Sequence, residues 1–279
     1  MTPAPIAEPA PAKLNLALHV RRRRADGYHD LETLFAFARH GDMVTVEPSD
    51  APRFAVTGPF AAGLDGPDNL VTRAEAAFRT AFAIDRPHAL TLDKHLPVAS
   101  GIGGGSADAA ATLRALARLH GIDPTDARLH AVAAALGADV PACLLGRAAF
   151  GSGRGDDLAP IEGVGDMPAL LVNPGVAVPT GPVFAGWDRI DRGPIGDGAT
   201  LDRARAGRND LQPPAEAIAP VIRDAVALLG ARRGVVLARM SGSGATCFAL
   251  FDGEAARDAA AAAVAAAHPG WWRLATSVA

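Results

Sequence analysis

The stretch Ala99 to Ala110, ASGIGGGSADAA, constrains this chain more than any other. It sets four glycines, Gly101, Gly103, Gly104 and Gly105, between an alternating apolar segment and a run of small helix formers. A helix N-terminus carries unpaired N–H groups and a partial positive charge, and glycine lets the main chain close around an anion with no Cβ in the way. The stretch therefore reads as strand, phosphate cradle, helix, with Ser106 as a first-turn hydroxyl. It lacks the Gly-Lys-Ser/Thr of a Walker loop. A second helix follows it, where a dinucleotide fold needs a strand ending in an acidic residue. The plainer alternative is a flexible turn before a capped helix.

Around that stretch the periodicity predicts a mixed α+β chain. Leu14 to Val20 alternates as a strand and Leu31 to Phe37 as its return partner, with RRRRADGYHD between them as a solvated turn. Further strands are expected at Met43 to Glu47, Phe54 to Thr57 and Ala89 to Asp93. An amphipathic helix is expected over Asn69 to Ala83, with Val71, Ala74, Phe78 and Phe82 on its apolar face. Helices follow at Ser106 to Leu119 and Pro124 to Leu136, with Gly121 and Gly137 just beyond their ends. A strand from Ala169 opens a second half that holds a helix near Ile218 to Leu229, a strand pair around Val235 to Phe251 and a terminal helix from Glu254 to His268. The domains are read as 1–165 and 166–279.

A net charge of −3 argues against a general nucleic-acid binder. No apolar run is long enough for a membrane span, and MTPAPIAEPAP reads as a short disordered lead-in and not a signal peptide. Two cysteines, Cys143 and Cys247, suit a reducing compartment and read as small core residues. The sharpest clue is that the chain writes positive charge as 25 Arg and only two Lys, Lys13 and Lys94, and that both fall beside motifs. The single tyrosine, Tyr28, is similarly isolated.

Three segments occur in order: PAKLNL at Pro11 to Leu16, LPVASGIGGGSADAA at Leu96 to Ala110 and MSGSGATCF at Met240 to Phe248. On these the chain resembles the GHMP kinase superfamily, named for galactokinase, homoserine kinase, mevalonate kinase and phosphomevalonate kinase. Further segments, RADGYHDLETLF, LGADVP, NPGVAVPT and NDL, resemble the branch that phosphorylates a cytidine-diphosphate-linked methylerythritol. The resemblance implies a two-domain GHMP kinase fold, with a ribosomal-protein-S5-like N-terminal domain, a C-terminal ferredoxin-like α/β sandwich and an active site in the cleft between them.

It also implies ATP as phosphoryl donor, with Mg²⁺ accompanying it, and a small-molecule alcohol as acceptor. No nucleic-acid or membrane partner is implied, and the enzyme would work in the cytoplasm as a monomer or homodimer. An alcohol is a poor nucleophile, so a carboxylate to take its proton and a cation near the transferring group are wanted. Asp139 of LGADVP matches the first role and Lys13 the second. By the same resemblance ATP would meet Asn69, Lys94, Pro97, Ser100, Gly101, Gly103, Gly104, Gly105 and Ser106. The acceptor would meet Asn15, Tyr28, His29, Phe35 and Phe184, with Tyr28 and Phe184 sandwiching cytosine and His29 bonding its edge. Ser241 to Gly244 is expected to line the site or to serve only as a hairpin turn. No dedicated metal ligand is evident. Another kinase of the superfamily would not need the GYH and NPG elements, and a non-catalytic sensor would be expected to lack Lys13 or Asp139.

Overall fold

In the computed structural model, which describes residues 4–66 and 68–279, the two strands expected on either side of Gly41 are one. β2 (His29–Pro48) runs unbroken for 20 residues. Gly41 is there for close approach: a Cβ on it would stand 2.0 Å from the carbonyl oxygen of Ala10. Its partner β1 (Ile6–Arg23) is likewise longer than expected and takes up most of the lead-in. Residues 1–3 of that lead-in lie outside the described residues.

Contacts group the chain into two units, and because β1 and β2 each pass through both, the division is not a single cut along the sequence. The first unit holds the described residues up to Ala12, His40–Val98 and Gly103–Gly146. In it β4 (His88–Asp93) pairs antiparallel with β2, Met43 opposite Asp93, and parallel with β3 (Arg53–Thr57). Helix α1 (Leu70–Phe82) packs on α2 (Gly104–His120) and α3 (Ala127–Leu136), and α2 on α4 (Val140–Leu145). Phe78 is fully buried on α1, a contribution of about 2–3 kcal/mol, whereas Phe82 stays half-buried. The buried face of α2 is largely alanine, so its neighbours pack close to its backbone. The C-terminal end of α2 is tied by histidines. His88 Nδ1 lies 2.9 Å from Glu75 Oε1, and its Nε2 lies 2.9 Å from His120 Nε2.

The second unit holds Lys13–Arg39, Ala99–Ile102 and Arg147–Ala279. β5 (Ala149–Ser152) pairs with β2 and with β6 (Asp157–Pro160). An antiparallel sheet runs β10 (Trp272–Val278), β7 (Met167–Asn173), β9 (Cys247–Phe251), β8 (Val235–Met240). Strand β10 was not foreseen. It lies antiparallel to β7, with Trp272 opposite Asn173, and only Thr276 and Val278 bury fully, which leaves a weak alternation to read. The helix expected near Ile218 to Leu229 is α8 (Val221–Gly230), which starts after Pro220; a short α7 (Gln212–Ile218) before it was not foreseen, and Pro220, with no N–H to continue a ladder, keeps the two apart. Short α5 (Thr180–Ala185) and α6 (Thr200–Ala206) precede them, and α9 (Glu254–Ala267) packs on β7, β9 and β10. Cys143 and Cys247 are both buried and form no disulfide, and burial holds the Cys247 thiol well above its ordinary pKa. Among the described residues no helix is long and apolar enough to cross a membrane.

Candidate active site

The glycine loop enters α2 as the sequence requires. Gly103 is the N-cap in the left-handed region, φ 65°, and the helix begins at Gly104, two residues before Ser106. Gly103, Gly104 and Ser106 are half-buried and Gly105 is exposed, so backbone N–H groups of the first turn are within reach of an anion. Lys94 is buried to 3% exposure, with its ammonium 2.5 Å from Asp42 Oδ2 and 2.6 Å from Asp108 Oδ2. A Cβ on Gly104 would stand 3.1 Å from that ammonium, so the missing side chain makes room for Lys94. Asn69 is spent on local structure: its Oδ1 accepts from Val71 N–H at 2.9 Å as the cap of α1, and its Nδ2 donates to the carbonyl of Leu64.

Asp139 stands at the N-cap position of α4, with φ −85° and ψ −15°, half-buried, and its side chain makes no capping hydrogen bond. Most N-cap aspartates give their carboxylate to the helix. This one keeps it out of that bond.

In the second unit β1 presents a polar row on an otherwise apolar strand. Lys13, buried to 3% exposure, donates from Nζ to Asn15 Oδ1 at 2.9 Å, and the ammonium lies 5.2 Å over the ring of Phe35. Phe35 is itself 1% exposed and forms the floor under the lysine. Asn15 Nδ2 donates to Thr33 Oγ1 at 2.8 Å, and Thr33 donates on to the carbonyl of Ala17. Each polar atom in the row thus fixes the next, which limits the rotamers of a flexible lysine stem.

The Ser241 to Gly244 turn joins β8 to β9 and also grips the start of the glycine stretch. Ser241 Oγ accepts from Asn15 N–H at 3.2 Å and donates to the carbonyl of Gly101 at 3.0 Å, while Thr246 N–H donates to the carbonyl of Ser100. Asn209, from the NDL segment, donates to the carbonyls of Met240 and Gly242, both at 2.8 Å. Gly101 has φ +76°, and a Cβ there would stand 2.5 Å from the carbonyl oxygen of Ser241 and 2.7 Å from Gly244 N. Gly175 has nearly the same φ, +75°, with open space around it. Gly175→Ala is therefore expected to cost only the left-handed strain, about 1–2 kcal/mol. Gly101→Ala, adding a backbone clash, should cost roughly 4 kcal/mol or more. Chemical denaturation of both variants checks this; equal losses would remove Gly101 from the turn's packing.

Among the expected recognition residues, the ring that Phe184 meets is His29, at 5.0 Å and tilted by 30°. Trp187 closes on His29 from another side at 5.8 Å. Burial, helped by the charge of Arg23, holds His29 below the ordinary imidazole range, so it is neutral at pH 7 with one donor and one acceptor nitrogen. Tyr28 is 54% exposed and faces the guanidinium of Arg154 at 5.2 Å. The residues that sequence reading missed are Asp42 and Thr33, whose roles exist only through partners far along the chain. Pro97 and Ser100 flank the turn into the loop, where Ser100 is buried.

Comparison with known proteins agrees across the whole chain. Residues 69–147 match the GHMP kinases N terminal domain and residues 188–270 the GHMP kinases C terminal domain. A 4-diphosphocytidyl-2-C-methyl-D-erythritol kinase of Rhizorhabdus wittichii is 60% identical over 96% of this chain and 92% of its own. That of Sphingopyxis alaskensis is 54% identical over 95% of each. A crystal structure of 4-(cytidine 5'-diphospho)-2C-methyl-D-erythritol kinase superposes with a TM-score of 0.80 and 36% identity, covering 98% of this chain and 99% of that one. A homoserine kinase of Cytophaga hutchinsonii, at 18% identity, 98% and 95% coverage and a TM-score of 0.69, shares the fold.

Proposed function

The chain belongs to the 4-diphosphocytidyl-2-C-methyl-D-erythritol kinases of the GHMP kinase superfamily, and from that membership we propose a division of labour among its residues. It is an ATP-dependent phosphotransferase of the non-mevalonate isoprenoid route. It moves the γ-phosphoryl group to the 2-hydroxyl of 4-diphosphocytidyl-2-C-methyl-D-erythritol, giving the 2-phosphate and ADP.

In this reading Asp139 is the general base that takes the hydroxyl proton as the O–P bond forms. Lys13 offsets the negative charge that develops on the reacting oxygens. A compact ammonium suits that task because it can serve several oxygens from one point. The observation that carries the assignment is the burial of Lys13: an ammonium is costly to desolvate unless it is bonded, and here Asn15 and Phe35 fix it in place. Asn15 holds Lys13 with its oxygen and contacts an acceptor hydroxyl. Residues Gly103 to Ser106 take the ATP phosphates with their backbone N–H groups, and Lys94 supports that turn from below. Phe184 stacks on cytosine, and His29 offers its donor and acceptor to the base edge; Tyr28 closes from the other face.

Among the described residues no group of three or more His, Cys, Asp or Glu side chains is placed to hold a metal. Mg²⁺ is best taken as arriving on ATP, held chiefly by phosphate oxygens and water. The 1–165 segment then supplies the phosphate loop, Lys13 and Asp139, and 166–279 supplies Phe184 and the Ser241 turn. We place the enzyme in the cytoplasm, where two reduced, buried cysteines are at home.

The specificity is tested by ADP release with 4-diphosphocytidyl-2-C-methyl-D-erythritol, mevalonate and homoserine as acceptors. Turnover is expected with the first alone, and equal turnover with mevalonate would overturn the reading. Tyr28→Ala should weaken the acceptor by about 1–3 kcal/mol, the usual worth of one stacked base, with little change in KM for ATP. Because Tyr28 is exposed, stability should hold. An equal rise in both KM values would give Tyr28 a structural role instead.

A further inference from the structure

Below the phosphate loop the first unit buries three ionisable side chains whose hydrogen bonds do not balance. Asp42 is fully used: its Oδ1 accepts from the N–H groups of His95 at 2.5 Å and Leu96 at 2.8 Å, and its Oδ2 accepts from Lys94. That is the acceptor-only pattern of an ionised carboxylate. Asp108 is as deeply buried, 3% exposed: its Oδ2 accepts from Lys94, its carboxyl also lies within hydrogen-bond reach of Asp42, a contact only a protonated carboxyl can make favourable, and its Oδ1 is buried with no partner. An orphaned carboxylate oxygen out of water costs more as part of an anion than as part of a neutral acid. One ammonium therefore satisfies Asp42 and leaves the second carboxylate either neutral or uncompensated. The same ammonium lies against the first residue of α2, where a Gly104 Cβ would be 3.1 Å away.

We propose that Asp108 sets the charge beneath the phosphate loop: as the neutral acid it leaves the Asp42–Lys94–Asp108 trio neutral, and as the carboxylate it adds one negative charge there and weakens the hold on ATP. This rests on reading Gly103 to Ser106 as the nucleotide phosphate site. Burial first, with Asp42 beside it and against the pull of Lys94, pushes the Asp108 carboxyl up to about 8.

The other ionisable groups on the packed elements, Arg73 of α1 included, mostly have partners of their own. On α2 itself Arg114 and Arg118 pair with Glu8 of β1. On α1 Glu75 faces His88 and Arg79, and His120 meets His88. On α3 Arg128 pairs with its neighbour Asp126 and His130 Nε2 lies 3.1 Å from the carbonyl of Pro124, while α4 brings Cys143 and, at its cap, Asp139.

The test is calorimetric binding of MgATP to the whole enzyme at about pH 7 and about pH 9.5, on either side of the Asp108 transition. The parent dissociation constant should rise roughly tenfold across that range, the scale of one added charge near phosphate in a partly wet site. In Asp108→Asn, which mimics the neutral acid, the two constants should be nearly equal. The same rise in the variant would overturn the proposal. Absence of MgATP binding to the parent at the lower pH would overturn the reading of the loop itself. The parent alone gives an independent arm: repeated near pH 8 in buffers of different ionisation enthalpy, binding should take up protons, because ATP favours the neutral acid. Zero uptake, or release, would contradict it whether or not the variant folds.

Discussion

Asp139→Asn is expected to lower kcat by roughly 10²-fold or more, the usual contribution of a positioned general base, while MgATP still binds. The amide has the shape of the carboxylate but cannot take a proton from an alcohol. The structure gives two reasons why the loss should be kinetic. Asp139 makes no side-chain cap to α4, so Asn removes no capping bond from that helix, and its backbone lies in the ordinary right-handed region that Asn also adopts. Steady-state kinetics with calorimetric ATP binding separates the two effects. A kcat within a few-fold of the parent would remove Asp139 from the proton transfer.

Lys13→Arg should be nearly as damaging as Lys13→Met, each costing about 10²-fold or more in single-turnover phosphoryl transfer. Charge alone predicts otherwise, since Arg keeps it. The site is built to the size of an ammonium, 2.9 Å from Asn15 Oδ1 above the ring of Phe35, on a strand residue that is 3% exposed. A guanidinium is planar and wider, and its donors are arranged for a two-pronged grip. It would have to displace Asn15 or Phe35, and Asn15 is held by Thr33. A chain that uses Arg 25 times and writes Lys here agrees with that constraint. An Arg variant that retained most of the parental rate would show that only the charge matters.

Much of this was legible in the sequence because it is local. The strand, glycine turn and helix around Gly103 follow from backbone freedom and helix propensity within some 20 residues. Asn69 and Ala83, expected as the ends of the first long helix, are its caps, although the side chain of Asn69 serves α1 and Leu64 directly. What was not legible depends on distant partners. The alternation gave two strands, Leu31 to Phe37 and Met43 to Glu47, and only the approach of Ala10 to Gly41 shows that one long strand runs through both. Asp42 sits beside it as an ordinary acidic residue until Lys94, His95 and Leu96, some 50 positions later, close around it. Likewise the pairing of Phe184 with His29 spans the chain, and its spacing carries no signal in either segment. Lys94 was marked by its rarity, which pointed to the right region but not to the two aspartates that bury it.

The central claim is that Lys13 and Asp139 act on one chemical step, and a double-mutant cycle on that step tests it most directly. Single-turnover phosphoryl transfer at saturating MgATP and acceptor would be measured for the parent, Lys13→Met, Asp139→Asn and the double variant. Residues that work as a unit are strongly non-additive, so the double variant should be no more than a few-fold slower than the slower single variant. A double variant whose loss equals the product of the two single losses, roughly 10⁴-fold, would show that they act independently and would contradict the account.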